Sequence, residues 1–169
     1  IREISILCKE KGLKLHQDGA RVFNAFAETG EDTQEYGDYF DTISVWFSKG
    51  LGAPVGSALL CSEAAIKRAK RVRKVFGGGM RQAGYLAAAC IYALDHHVER
   101  LKEDHQRARS IGEAFEGLAI TEKVLPVETN IVIVELAEGF IPDYILQKLH
   151  ENGVYAVPFG KKEIRFVTH

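Results

Sequence analysis

Apolar residues recur at helical spacing from the first position: Ile1, Ile4, Leu7 and Cys8 share one face of residues 1–11, and Gly12 follows as a stop. That spacing predicts a helix. A short strand is expected at residues 13–16, a turn at Asp18-Gly19-Ala20, and a second helix that carries Val22, Phe23 and Phe26 and ends near Thr29-Gly30. The polar stretch 31–39 reads as loop or short helix. Ile43, Val45, Trp46 and Phe47 mark a buried strand over 40–47. Ser48-Lys49-Gly50-Leu51-Gly52-Ala53-Pro54 breaks it, and 55–61 resumes as another strand. Ser62 is placed to cap the next helix, with Glu63 in its first turn. That helix is expected to bury Ile66, Ala69, Val72 and Phe76, and Gly77-Gly78-Gly79 ends it. Phe23, Phe26, Phe47 and Phe76 are expected core residues.

From Met80 a helical pattern runs through Leu94, Val98, Leu101 and Phe115 to about Leu118. A pattern longer than about 25 residues bridges two parts of a molecule or breaks in the middle, and His96-His97 is the expected break. Residues 130–136 alternate as a strand. Pro142 opens a helix over 142–152 with Gly153 past its end. Two more strands, 154–157 and 163–168, flank a turn at 158–162. The chain therefore reads as α/β. Residues 1–95 are part of a larger domain with helices on a mixed, mostly parallel sheet, 96–118 form a linking helix, and 119–169 form a small α+β domain.

Composition narrows this. The chain has 169 residues, 46% hydrophobic and 27% charged, which suits a globular protein with a core. A net charge of -1 gives no reason to expect nucleic acid or an anionic membrane. The basic run Lys67, Arg68, Lys70, Arg71, Arg73, Lys74 reads as the solvated face of its helix. No apolar run reaches the roughly 18 residues of a membrane span. The first residue is Ile1 and no signal peptide is visible, which leaves the true N-terminus open. Cys8, Cys61 and Cys90 are widely spaced, with neither a paired motif nor a zinc pattern, and read as reduced thiols of a cytoplasmic protein. Asp95, His96, His97, Glu99 and Asp104 match no metal motif, and no metal is expected.

Three segments carry candidate chemistry. Lys49 lies between two apolar strands, where a long cation has no structural use and an unpaired buried one is costly. The glycines after it let a bulky group approach the backbone. A lysine in a low-dielectric pocket becomes a nucleophile toward aldehydes; the same heptapeptide would also serve as a plain hairpin loop. Asp18, beside a strand end, could face a ligand, and Arg21 three residues on could take a carboxylate bidentately, while an Asp-Gly turn with an exposed arginine explains both equally. Gly77-Gly78-Gly79-Met80-Arg81-Gln82, if it opens a helix, would offer free N–H groups to a phosphate, or else is a linker.

In this order, the three segments resemble the low-specificity L-threonine aldolases, pyridoxal-phosphate enzymes of the aspartate-aminotransferase-like fold. The resemblance rests on residues 16–25 (beginning His-Gln-Asp-Gly-Ala-Arg), 40–57, 71–84, 87–109 and 164–169, nearly the whole chain. It implies that Lys49 holds pyridoxal 5'-phosphate as a Schiff base and that Asp18 partners the pyridine nitrogen. It also implies that Arg21 and Arg165 hold the substrate carboxylate, with Arg21, Gly79 and Arg81 near the cofactor and Lys74 and Arg81 at the site or its subunit edge. The implied substrate is a β-hydroxy-α-amino acid, cleaved to glycine and acetaldehyde when it is L-threonine or L-allo-threonine. Serine hydroxymethyltransferase-like and β-eliminating chemistry are the alternatives within the fold. The implied assembly is a homotetramer, a dimer of dimers. Gln17 and Trp46 depart from the family pattern and are expected only to flank the motifs. Family chains are about twice this length, with a phosphate-binding loop and a ring-stacking histidine in the N-terminal half, and they continue past His169. The resemblance thus implies a C-terminal half, incomplete at its end and inactive alone.

Overall fold

In the computed structural model, which describes residues 1–169, β1 (His16–Gly19) runs parallel to β2 (Thr42–Trp46), and β3 (Ser57–Cys61) lies antiparallel on the other side of β2. The sheet is mixed, with one parallel and one antiparallel pair. A parallel pair needs a crossover. Here it is α2 (Val22–Thr29) and the short α3 (Thr33–Gly37), whose N-cap Asp32 accepts from the N–H groups of Gln34 and Glu35. Successive side chains of a strand point to opposite faces. Ile43 and Val45 therefore go to one face, buried with Val22 and Tyr36 and packed by Phe23, Phe26 and Phe47. His16, Asp18, Thr42, Ser44 and Trp46 share the other face, and none of them is buried.

The register of the parallel pair is set before either strand begins. The Asp41 N–H donates to the Leu15 carbonyl at 2.9 Å, and the Asp41 carboxylate accepts from the Leu15 N–H at 2.9 Å and from Lys14 Nζ at 2.8 Å. Lys14 first, then Leu15, holds the Asp41 carboxyl below the ordinary aspartate range. A folded-state pKa below the unfolded one stabilises the fold above the unfolded value, and that contribution is lost as pH falls through the folded value. An NMR titration of the Asp41 carboxyl is expected to give a midpoint below that of free aspartate, with Lys14→Met moving it upward; a midpoint at or above free aspartate would refute the lock.

Two helices leave apolar residues exposed. In α1 (Arg2–Glu10) only Ser5 is buried, its hydroxyl donating to the Tyr39 carbonyl at 2.7 Å. Ile1, Ile4 and Leu7 are each more than half exposed, so the apolar face of the helix meets solvent. In α4 (Glu63–Val75) Ser62 does cap the first turn, accepting from the Ala65 N–H, yet nothing in the helix is buried. Phe76, expected as core, is 86% exposed. Apolar periodicity marks the face that favours burial; it does not supply the cover.

The long helical pattern ends at His96 in α5 (Gly84–His96) and resumes in α6 (Leu101–Phe115). The chain forms two compact units, Ile1–Glu99 and Arg100–His169, and α6 lies in the second rather than spanning 96–118 as one linking helix. That unit has an antiparallel sheet of β4 (Thr121–Val124), β5 (Ile131–Leu136), β7 (Glu163–Val167) and β6 (Val157–Phe159), in that order, with α7 (Pro142–Glu151) between β5 and β6 in the chain. Val132, Val134, Leu136, Ile164 and Phe166 form its core with Ala108 of α6, and Ile111, Phe115, Ile145 and Leu149 pack around them. The Thr168 hydroxyl donates to the Asp104 carbonyl at 2.6 Å, and Asn130 Nδ2 donates to the Thr168 carbonyl at 2.9 Å, which ties the end of the chain to α6 and β5.

Candidate active site

Adjacent parallel strands end on the same edge of a sheet. Asp18 is on β1 itself, one residue from its carboxyl end, rather than in the turn expected there. Its Oδ1 accepts from the Ala20 N–H at 3.1 Å, which orients the carboxylate. Gly19 beside it allows close approach of the strands, because a Cβ there would stand 2.6 Å from the Ser44 carbonyl oxygen. His16 bridges the strands on the Asp18 face, with Nδ1 2.7 Å from Thr42 Oγ1 and Nε2 3.3 Å from Ser44 Oγ. Arg21 follows as the N-cap residue of α2 and is half-buried.

Lys49 lies three residues past the carboxyl end of β2, on the same edge as Asp18. This is where ligands bind in open α/β sheets. Its turn is closed by hydrogen bonds from the Gly52 N–H to the Lys49 carbonyl and from the Ala53 N–H to the Phe47 carbonyl, both 2.9 Å. Gly52, at φ 67°, takes the left-handed conformation the turn requires. The side chain is exposed, contrary to the buried setting expected from the sequence. The four-carbon stem carries the ammonium clear of the turn, and it rests 4.7 Å from the centre of the Trp46 ring. Trp46, expected only to flank the motif, therefore touches its central residue.

The triple glycine terminates α4 and does not open a helix. Gly77 and Gly79 have φ of 79° and 99°, and the Gly78 N–H donates back to the Arg73 carbonyl at 2.8 Å. The space beside Gly78 and Gly79 is taken by the Arg73 side chain. The next helix, α5, starts only at Gly84, so the expected helix N-terminus is displaced from the glycines. Lys74, Gly79 and Arg81 are exposed around this bend. Arg165 belongs to the second unit, on β7 opposite Ile133 and Val157, half-buried with its guanidinium 5.5 Å from the centre of the Phe159 ring.

Two further residues bear on the Lys49 turn. Asn24 is buried on α2 against Gly50, and His97 Nδ1 lies 2.6 Å from the Leu51 carbonyl oxygen. The sequence held a trace of the first, a polar residue inside the apolar run Val22-Phe23-Asn24-Ala25-Phe26, and none of the second.

The beta-eliminating lyase family matches residues 1–139. The chain belongs to that family. Along its whole length this lyase-family chain is 40% identical to a probable low-specificity L-threonine aldolase 2 of Arabidopsis thaliana and 44% identical to the low specificity L-threonine aldolase of Escherichia coli (strain K12). It covers 48% and 49% of those proteins, so it spans about half the length of the curated relatives it matches. Among solved structures, a putative L-allo-threonine aldolase from Listeria monocytogenes EGD-E superposes with a TM-score of 0.81 at 25% identity, over 99% of this chain and 49% of that one. The ornithine aminotransferase of Toxoplasma gondii ME49 shares the fold at a TM-score of 0.63 and 17% identity. The mixed sheet with its helices is thus part of the fold type I domain.

Proposed function

We propose that this chain carries the lysine-bearing half of the active site of a pyridoxal-phosphate-dependent threonine aldolase, which converts L-threonine or L-allo-threonine to glycine and acetaldehyde. The observation that carries the reading is Asp18 and Lys49 at one carboxyl edge of adjacent parallel strands, beside an open polar face. This donor set fits the cofactor: Lys49 offers a primary amine to its aldehyde, and Asp18 a carboxylate to its ring nitrogen. When bound, pyridoxal phosphate draws electrons from the substrate's α-carbon. Asp18 keeps the proton on the ring nitrogen. Arg21 orients the substrate carboxylate, while Lys74, Gly79 and Arg81 line the cofactor side or the subunit edge. The relatives named as low-specificity threonine aldolases, 38% to 45% identical, support this substrate.

The family's description supports a second reading, β-elimination. The two differ in the bond broken. Aldol cleavage of threonine breaks Cα–Cβ and leaves glycine and acetaldehyde; elimination expels the β-hydroxyl and leaves 2-oxobutyrate and ammonia. The full-length protein with pyridoxal phosphate and L-threonine is expected to release glycine and acetaldehyde in equal amounts; 2-oxobutyrate in their place would hand the assignment to elimination.

A homotetramer is the assembly we assign. Apolar faces that a lone unit leaves in water support it: α5 is apolar around most of its circumference, yet Tyr85, Ile91 and Tyr92 are 58% to 92% exposed. The same faces suit the remaining part of a chain as long as the relatives. Three unpaired cysteines favour the cytoplasm, and no helix is long and apolar enough to cross a membrane.

A further inference from the structure

We propose that His97 is a positioning residue for Lys49, acting through the backbone of the Lys49 turn. This rests on the reading of Lys49 as the cofactor's amine. A lysine stem has four rotatable carbons, so the protein aims its amine chiefly by fixing the backbone from which it departs. That backbone is a short closed unit: the Gly52 N–H to Lys49 carbonyl bond makes residues 49–52 one turn. The turn is held at two neighbouring points. At Gly50, the buried Asn24 side chain of α2 fills the space where any Cβ would stand. At Leu51, itself 1% exposed, the carbonyl lies 2.6 Å from His97 Nδ1. A carbonyl only accepts, so Nδ1 carries the proton.

His97 is well fixed for this task. It is the C-cap residue of α5, and its own N–H donates to the Ala93 carbonyl at 2.9 Å. The Tyr92 ring meets its imidazole edge-on, with centroids 5.6 Å apart. The end of α5 thus reaches the lysine turn through one hydrogen bond, two residues from Lys49. Errors in placing a reacting group are costly, about a hundredfold for 1 Å.

The test uses the full-length protein and follows the visible absorbance that forms as pyridoxal phosphate is added, with no substrate present. His97→Ala is expected to raise the cofactor concentration for half-maximal absorbance about tenfold and to shift the pH midpoint of the band. His97→Asn places an amide N–H where Nδ1 stands and is expected to recover the wild-type values within about twofold. His97→Gln carries its amide one carbon further out and is expected to behave like alanine; this Asn–Gln pair decides the matter even if the alanine protein fails to fold. Equal band and affinity in wild type, Asn and Gln variants would overturn the proposal, as would an Asn variant no better than Gln. No band in the wild type would instead overturn the assignment of Lys49 as the cofactor's amine, on which this role depends.

Discussion

Replacing Lys49 with alanine in the full-length protein is expected to abolish the visible absorbance produced by pyridoxal phosphate and to lower threonine cleavage at least about a thousandfold. An amine is required because only an unprotonated nitrogen adds to the cofactor's aldehyde and is then exchanged for the substrate's amino group. Charge alone would not serve. Lys49→Arg preserves the cation, and its guanidinium can still lie over the Trp46 ring, where the ammonium now sits 4.7 Å from the centroid. A guanidinium stays protonated and is no nucleophile at neutral pH. The arginine protein is therefore expected to lose the band as completely as the alanine protein. If either retains the band and full turnover, the amine lies elsewhere and Lys49 is a loop lysine after all.

The break that carries Lys49 was legible in the sequence, and the lysine's surroundings were not. Glycines and a proline just past an apolar strand mark a break, and β2 does end there. The lysine is exposed, with its ammonium against Trp46, and an apolar strand beside it did not reveal that. The same logic explains α1 and Phe76. Their stripes were read correctly as apolar, yet the unit leaves them in water. In the second unit pattern and structure agree for β5, α7 and β7, whereas β4, polar at three of its four positions, gave no apolar signal, and β6 lies at Val157–Phe159, mostly inside the expected turn. Val132, Val134 and Leu136 alternate inward along β5, and Pro142 opens α7 at the expected place.

β1 was displaced by three residues for an instructive reason. The expected strand covers residues 13–16, whereas the strand is His16–Gly19, with His16 and Asp18 on the open face. A strand whose outward face serves a ligand has no reason to be apolar there, so propensity fails where function is expected. At the triple glycine the expected end of a helix holds, and the alternative of a helix N-terminus for phosphate does not. Glycine suits a helix C-terminus as well as a phosphate loop, and only coordinates reveal that Arg73 fills the adjoining space. His97 lay beyond any sequence signal, since its link to Leu51 joins residues 46 apart.

Asp18→Asn is expected to leave cofactor binding within about tenfold of wild type while lowering turnover by a factor of about 100 to 1000. Asparagine matches the side chain in size, and its amide oxygen can still accept from the Ala20 N–H that now bonds Oδ1 at 3.1 Å. What it lacks is the negative charge that keeps a proton on the ring nitrogen. Lys49 would still offer its amine to the cofactor's aldehyde when the ring is neutral, so the band should form, but electron withdrawal from the substrate's α-carbon would be far weaker. The loss should fall on kcat more than on KM, because the missing interaction strengthens as charge develops in the transition state. Asp18→Glu restores the charge on a longer arm, at a point where Gly19 lets β1 press close to the Ser44 carbonyl and leaves little room to adjust. It should recover part of the rate, and the order aspartate, glutamate, asparagine is the signature of charge rather than shape. An asparagine protein with full kcat would separate Asp18 from the ring nitrogen and leave it as the turn residue that an Asp-Gly pair so often is.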